Sequence, residues 1–155
     1  IRRQRQMCIR DRYHTMYAEF TDDLVTGNTL IDSQHKELID KINDLLKSCE
    51  ERSNQSGAAR MLNYLADYTE FHFREEEGLQ ESISYPGIKE HKQKHEELRN
   101  TVQELHDMLI EEEGPSDAFV NAVQEKVRDW LYYHIQTFDR SVAEYKFMRD
   151  NAERI

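Results

Sequence analysis

The sequence predicts an all-α protein, an up-down-up-down antiparallel four-helix bundle. Three observations predict this fold. Four long segments repeat apolar residues every three or four positions, short turn sequences separate them, and the 155 residues include only 5 glycines and 2 prolines. Short connections between long helices leave each helix antiparallel to the one before it. A chain of this length buries a sizeable core without disulfides or structural zinc.

The first two helices lie on either side of the segment SNQSG (53–57). Asp32 or Ser33 is expected to cap the first helix, which should run to about Arg52, and the second should follow the turn. The expected buried stripes are His35, Leu38, Ile42, Leu45 and Cys49 in the first helix, and Ala58, Met61, Leu65, Tyr68, His72, Glu76 and Leu79 in the second.

Proline and glycine mark the next two boundaries. SYPG (84–87) should end the second helix, and a turn from Gly114 to Ser116 should separate the third helix from the fourth. The expected buried stripes are Ile88, His91, His95, Leu98, Val102, Leu105 and Leu109 in the third helix, and Val120, Val123, Val127, Trp130, His134 and Phe138 in the fourth.

Seven side chains able to bind metal lie along these stripes, where a bundle would otherwise bury leucine. They are His35, His72, Glu76, His91, His95, His134 and Asp139. In an antiparallel pair, residues equally far from the connecting turn lie level. Three pairs of candidates meet this condition closely: His35 with His72, Glu76 with His91, and His95 with His134. Because a histidine or carboxylate in a water-poor core is costly unless it is paired or coordinated, the sequence predicts one buried metal centre.

The spacing within each helix supports a shared centre. Residues four apart point in nearly the same direction, so His72 with Glu76, and His91 with His95, can reach one site. His134 and Asp139 are five apart, which an ordinary α-helix would separate by about 140°. Because a π-helical turn would realign them, we predict a π-bulge between these two residues.

The number and type of the candidate ligands favour two metal ions that share bridging carboxylates. Seven ligands exceed the four of a structural zinc site. Imidazole suits iron, copper, nickel and zinc alike, so the residues alone leave the element open. A ferritin-like centre would use glutamates with Glu-x-x-His pairs, a pattern these helices lack. His14 and His106 fall outside the expected layer and receive no metal role.

Four motifs carry these ligands: TGNTLIDSQHKEL, HFREEE, YPGIKEHKQKH and WLYYHIQTFD. They resemble the hemerythrin family, specifically its stand-alone bacterial members, over about residues 17–148. The resemblance implies a non-haem di-iron centre with an oxo or hydroxo bridge. It assigns His91, His95 and His134 to one iron, His35 and His72 to the other, and Glu76 and Asp139 to the bridging positions.

The resemblance also implies that dioxygen binds at an open position on the two-histidine iron, beside an apolar pocket formed by Trp130, Leu131 and Ile135. The implied function is reversible dioxygen binding for storage, transport or sensing, without catalysis. Three alternatives remain open. They are a di-iron enzyme that removes peroxide or nitric oxide, a regulatory module whose partner is unknown, and a purely structural bundle.

Charge and composition exclude other classes. Residues 1–15 carry five arginines against Asp11 alone, so residues 16–155 carry a net charge of −14, which opposes binding to nucleic acid. Residues 1–15 are expected to be a non-native leader whose removal changes neither stability nor metal binding. Residues 16–155 are expected to be the bundle domain.

No apolar run suits a membrane span or signal peptide. Two cysteines, Cys8 and Cys49, are too few for a disulfide framework and lack CxxC spacing, which favours a reducing compartment, the cytoplasm.

Overall fold

The structure, a computed structural model, describes residues 16–152. The expected leader, residues 1–15, therefore lies outside the described residues. All regular secondary structure in the described residues is helical, and the helices form the predicted four-helix bundle. Its elements are a 3₁₀ turn (Asp22–Leu24), α1 (Thr29–Ser48), α2 (Gln55–Ser82), α3 (Ile88–Glu111), and a fourth helix made of α4 (Asp117–Val123), π1 (Gln124–Arg128), α5 (Asp129–His134), π2 (Ile135–Asp139) and α6 (Arg140–Asn151).

Helix α1 begins earlier than the sequence predicts, and the expectation that Asp32 or Ser33 caps it is wrong. The side chain of Asn28 accepts a hydrogen bond from the backbone N–H of Ile31 at 3.1 Å and so caps the helix. Asp32 instead turns back and accepts from the backbone N–H and hydroxyl of Thr26 at 2.9 and 2.7 Å. The helix also ends at Ser48, before the expected Arg52.

Helix α2 begins at Gln55, inside the segment expected to be a turn, because the side chain of Asn54 caps it at Gly57. Its buried face is also wider than the expected stripe. Met61, Tyr68 and Leu79 are only half-buried. The residues buried beside the stripe are Leu62, Thr69, Phe73 and Gln80. Since α2 packs against both α1 and α3, its buried face extends to either side of a single line of residues.

One end of the bundle is held by contacts between its two turns. Arg52 pairs with Asp117 at 2.9 Å, and the Gln55 side-chain amide donates to the Leu109 carbonyl at 2.8 Å. A Cβ at Gly114 would lie 2.5 Å from the Arg52 carbonyl oxygen, so glycine permits this close approach. In the described part of the chain, no helix combines the length and apolar character needed to cross a membrane.

The fourth helix contains the predicted π-helical turn. Residues Ile135–Asp139 form π2, directly after His134, which confirms that prediction. A second π segment, Gln124–Arg128, was not predicted. Of the expected stripe, the three valines are buried, whereas Trp130 and Phe138 are half-buried.

Candidate metal centre

The bundle brings all seven predicted side chains together in its core, towards the end opposite the two contacting turns. Each is at most 2% exposed. We call these seven residues the cluster: His35 from α1, His72 and Glu76 from α2, His91 and His95 from α3, His134 from α5, and Asp139 from π2. Every one of the four helices therefore supplies at least one member.

The cluster divides into two overlapping groups, within each of which one ligand atom per residue lies within 4.8 Å of the others. The first group is Glu76, His91, His95, His134 and Asp139, and the second is His35, His72, Glu76 and Asp139. Both groups contain the same two carboxylates. This arrangement could hold a metal ion in each group, with the carboxylates between them.

The histidine Nε2 atoms converge on these carboxylates. Those of His72 and His91 lie 2.9 and 2.8 Å from Glu76 oxygens. Those of His35 and His134 lie 2.7 and 3.1 Å from Asp139 oxygens. All four carboxylate oxygens, like the Nε2 atoms of His35 and His95, are nevertheless buried with no hydrogen-bond partner outside the cluster. Because such orphaned groups are costly in a protein core, the donor set fits a metal site.

The outward-facing Nδ1 atoms of two histidines have acceptors. His72 Nδ1 lies 2.7 Å from the side-chain oxygen of Gln34, and His95 Nδ1 lies 2.9 Å from a carboxylate oxygen of Glu77. Each contact fixes the proton on Nδ1 and leaves Nε2 with a free lone pair directed into the cluster. Sequence reasoning missed both partners, although each is next in sequence to a cluster residue.

Gln80 is the hydrogen-bond partner of His91 at Nδ1. Its amide nitrogen lies 3.0 Å from His91 Nδ1, and its amide oxygen has no hydrogen-bond partner. Rotating the amide by half a turn exchanges the two atoms, so that the oxygen accepts from Nδ1–H. The neutral form of His91 then has the same tautomer as His72 and His95, and its Nε2 can bind a metal once His91 has lost its second proton.

Stacked aromatic rings fix the orientation of two imidazole planes, those of His95 and His134. Phe73 stacks on His95 with ring centroids 3.7 Å apart and planes 8° apart. Trp130 and Phe138 are both stacked with His134, at 4.5 and 5.4 Å. The Trp130 indole N–H also donates to Glu97 on the surface at 3.3 Å.

An apolar cavity of about 10 Å³ lies one helical turn further into the bundle. Leu131 lines it, together with Leu38, Thr69 and Leu98, each close in sequence to a cluster histidine. Of the three residues expected to form an apolar pocket, Leu131 lines this cavity, Ile135 is fully buried in the core, and Trp130 stacks on His134. A space of this size is at the lower limit for one water molecule, and its lining offers little to bind one.

In the metal-free cluster, the pKa values of His91 and His95 are shifted in opposite directions. Burial lowers the pKa of His91, but the adjacent Asp139 and Glu76 carboxylates outweigh it and raise the pKa from 6.5 to about 9. Burial, together with charge on His91 and His134, lowers the pKa of His95 to about 2. Burial alone would raise the pKa of Asp139, yet the surrounding histidines hold it well below 3.8. At neutral pH, His95 is therefore neutral and can bind a metal directly. His91 is instead the imidazolium cation and must lose one proton before it binds.

The sequence matches the family described as "Hemerythrin HHE cation binding domain" over residues 26–144. It is 33% identical to a bacteriohemerythrin of Pseudomonas paraeruginosa over 123 residues, which are 79% of this chain and 77% of that one. It is 31% identical to a myohemerythrin of Sipunculus nudus, covering 71% and 78% of the two chains. A crystal structure of a leucine-to-phenylalanine mutant superimposes with a TM-score of 0.65 at 27% identity, covering 74% of this chain and 85% of that one.

Proposed function

The chain belongs to the hemerythrin family, and from that premise we propose that it binds dioxygen reversibly at a non-haem di-iron centre, for oxygen storage, transport or sensing. The observation that carries this proposal is the division of the cluster into two groups that share two buried carboxylates. Two ions bridged by carboxylates use every member of such a cluster, whereas one ion would leave buried polar groups without partners.

The proposed ligand assignment follows the two groups. His91, His95 and His134 would hold one iron, and His35 and His72 would hold the other. Glu76 and Asp139 would bridge the two ions. The two-histidine group offers fewer protein ligands, so it is the group with room for an external molecule. Bound irons would supply that open position and the electrons that dioxygen takes up and returns.

The surrounding residues of this chain orient the ligands and exclude water. Gln34, Glu77 and Gln80 fix the histidine tautomers, and stacked aromatic rings fix two of the imidazole planes. Leu131 belongs to the apolar lining on the inner side of the cluster. Keeping protons and water away from a reducible ligand favours its release unchanged over further reaction, which supports binding over turnover.

The competing function is a di-iron enzyme that removes peroxide or nitric oxide. Peroxide cleavage needs a proton donor close to the metal. The side chains of Tyr64 and Tyr133 are exposed, and Tyr68 packs against Phe71. Because exposed side chains lie away from the buried cluster, Tyr64 and Tyr133 do not supply such a donor, which favours the dioxygen carrier. We also propose the cytoplasm as its compartment, since Cys49 is a buried free thiol.

The experiment that tests the proposal is a visible spectrum of the purified protein, with metal analysis, through a cycle of reduction, aeration and deoxygenation. We expect two irons per chain and absorption bands that appear in air and vanish when oxygen is removed. Iron that oxidises once and does not return, together with multiple turnovers of added peroxide, would establish the enzyme instead.

The apolar lining has its own test. Replacing Leu131 by Ala should accelerate autoxidation of the loaded protein several-fold, because the enlarged space admits water beside the cluster. Leu105→Ala is the matched control, since Leu105 is equally buried but does not line the cavity. Equal autoxidation rates in wild type, Leu131→Ala and Leu105→Ala would contradict a protective role for Leu131.

A further inference from the structure

A cleft of about 430 Å³ opens between the first turns of α1, the C-terminal part of α2, and α6. Leu30 and Glu75 are exposed at its rim, with the half-buried Lys146 beside them. Its base is formed by Gln34, which is 6% exposed, and Glu76, which is 2% exposed. The cleft therefore leads from solvent to a carboxylate that both ligand groups share.

The two sides of the cluster differ in chemistry. The inner side faces the apolar cavity of about 10 Å³, which is too small and too apolar for a hydrated ion to cross. The side that faces the cleft offers oxygen atoms at successive depths, first on Glu75 and then on Gln34 and Glu76. Both carboxylate oxygens of Glu76 are buried, and their only polar neighbours are other members of the cluster.

We propose that this cleft is the entrance through which divalent metal ions reach the metal-free cluster. The inference rests on the proposed function, because it takes the cluster as the destination of the ion. Carboxylate and amide oxygens replace the hydration water of a cation one at a time, so the ion exchanges ligands along the path without being stripped at once. The net charge of −10 draws cations towards the protein, and Glu75 concentrates them at the rim.

Lys146 opposes the entry of cations through the cleft. Its ammonium group lines the cleft and forms an ion pair with Asp150, one turn further along α6. A fixed positive charge at the rim repels an entering cation. Leu79 forms part of the wall, where a larger side chain would narrow the passage.

The test is the rate at which the metal-free protein takes up Co(II), followed by the visible absorption of the bound ion in a stopped-flow instrument. Glu75→Gln should slow uptake about three- to tenfold, with the difference shrinking at high salt. Lys146→Gln should accelerate uptake by a similar factor. Leu79→Phe should slow uptake by narrowing the passage. Glu125→Gln is the matched control, since Glu125 is an exposed carboxylate on π1, remote from the cleft.

A second measurement starts from the loaded protein and follows cobalt loss to an excess of chelator. A residue on the entrance path changes uptake and release by the same factor, so the equilibrium affinity and the final spectrum stay those of the wild type. A residue that merely holds the fold would change the affinity or the helical circular dichroism. This comparison keeps the proposal testable where a variant is less stable.

Wild-type rates in both Glu75→Gln and Leu79→Phe would overturn the proposal. So would an uptake rate equal to the global opening rate from amide hydrogen exchange, because the ion would then enter through unfolding, and so would a failure to bind cobalt at all. Failure of the proposed function looks different: iron-loaded protein would not bind dioxygen reversibly, while the cobalt rates would still depend on Glu75 and Lys146.

Discussion

The cluster histidines differ in the groups that support them. His72 and His91 have amide neighbours at Nδ1, whereas His95 has the carboxylate of Glu77. Burial raises the pKa of the Glu77 carboxyl above its ordinary value, and Arg99, 3.7 Å away, opposes that rise. The Arg99 guanidinium also lies 5.2 Å from the centre of the Phe73 ring, which stacks on His95. A carboxylate at Nδ1 increases the electron donation of the imidazole to a metal, so we expect His95 to be the strongest of these donors.

Glu77→Gln should therefore raise the reduction potential of the loaded centre and weaken its metal binding, by about tenfold or more in affinity. Glutamine still accepts the hydrogen bond from Nδ1–H but lacks the charge, so the imidazole keeps its orientation. Potentiometric titration and competition with a chelator measure the two effects. Glu96→Gln is the control, because Glu96 pairs with Arg99 without contacting a histidine. A potential unchanged in Glu77→Gln would contradict the electronic role.

Metal binding should also release protons. The pKa of His91 is raised to about 9 in the metal-free fold, so His91 is protonated at neutral pH. Its contacts with Glu76 and Asp139 stabilise the metal-free fold fully below about pH 6.5, and that contribution is lost as the pH rises through 9. A metal ion must displace this proton. We expect proton release on loading at pH 7, measured calorimetrically in buffers of different ionisation enthalpy, and an affinity that rises towards pH 9. An affinity that stays constant over this range would contradict the expectation.

For individual residues, the sequence predicted which side chains meet in the core. It did not predict the residues that form hydrogen bonds with the histidine Nδ1 atoms. His35, His72 and the other cluster members interrupt apolar stripes, so periodicity reveals them. Gln34, Glu77 and Gln80 are polar residues on charged helices, where polar residues are common. Only the helix packing decides that these three turn inwards while Glu75 stays outside.

Among the elements, π2 has the clearest role in the site. His134 and Asp139 are five residues apart, and the wide turn of Ile135–Asp139 lets both reach the cluster, with Nε2 of His134 3.1 Å from Asp139. A π-helical turn is equivalent to one extra residue inserted into an α-helix. Removing one residue from it should restore an α-helix while the flanking residues keep their directions.

Deletion of Thr137, within π2, should therefore be tolerated. His134 and Asp139 would then be four residues apart, on one face of an α-helix, and Val142 would stay in the core. We expect cooperative unfolding, a cost of at most about 2 kcal/mol, and bound metal. Deleting Tyr133, exposed on the α-helical segment α5, should instead rotate the preceding helix relative to His134 and abolish metal binding. Equal damage from the two deletions, by thermal melting and metal analysis, would refute this account of π2.

Helix ends were the least predictable elements. Asn28 and Asp32 are both good caps by residue type, and only the path of the preceding loop, which bonds to Asp32, determines which one serves. The third helix was predicted more closely than the second, because its apolar and histidine residues form a single stripe. Helix α2 faces two neighbours, so a one-line stripe misplaces Met61 and Tyr68.

For the whole molecule, the cluster concentrates uncompensated polar groups in the core, so metal should contribute strongly to stability. Chelation should lower the melting temperature, and metal at a hundredfold excess over its dissociation constant should restore about 2.7 kcal/mol for each site. His91→Ala should remove most of this dependence. His106→Ala should retain it, because His106 lies outside both ligand groups. Identical melting of loaded and metal-free wild type would contradict a structural role for the metal.

His35 and Asp139 lie 104 positions apart in the chain, yet their side chains approach to 2.7 Å. A loaded centre would thus act as a cross-link between His35 and Asp139, which we call the clasp. The chain between these two residues, most of the bundle, would be closed into a loop. Under a pulling force applied to the two ends, the outer turns of α1 and α6 would peel away first, and the chain behind the clasp would bear no load. Rupture of the clasp would then release roughly 35 nm of extended chain in one step. Metal-free protein pulled in the same way would lengthen without that protected segment.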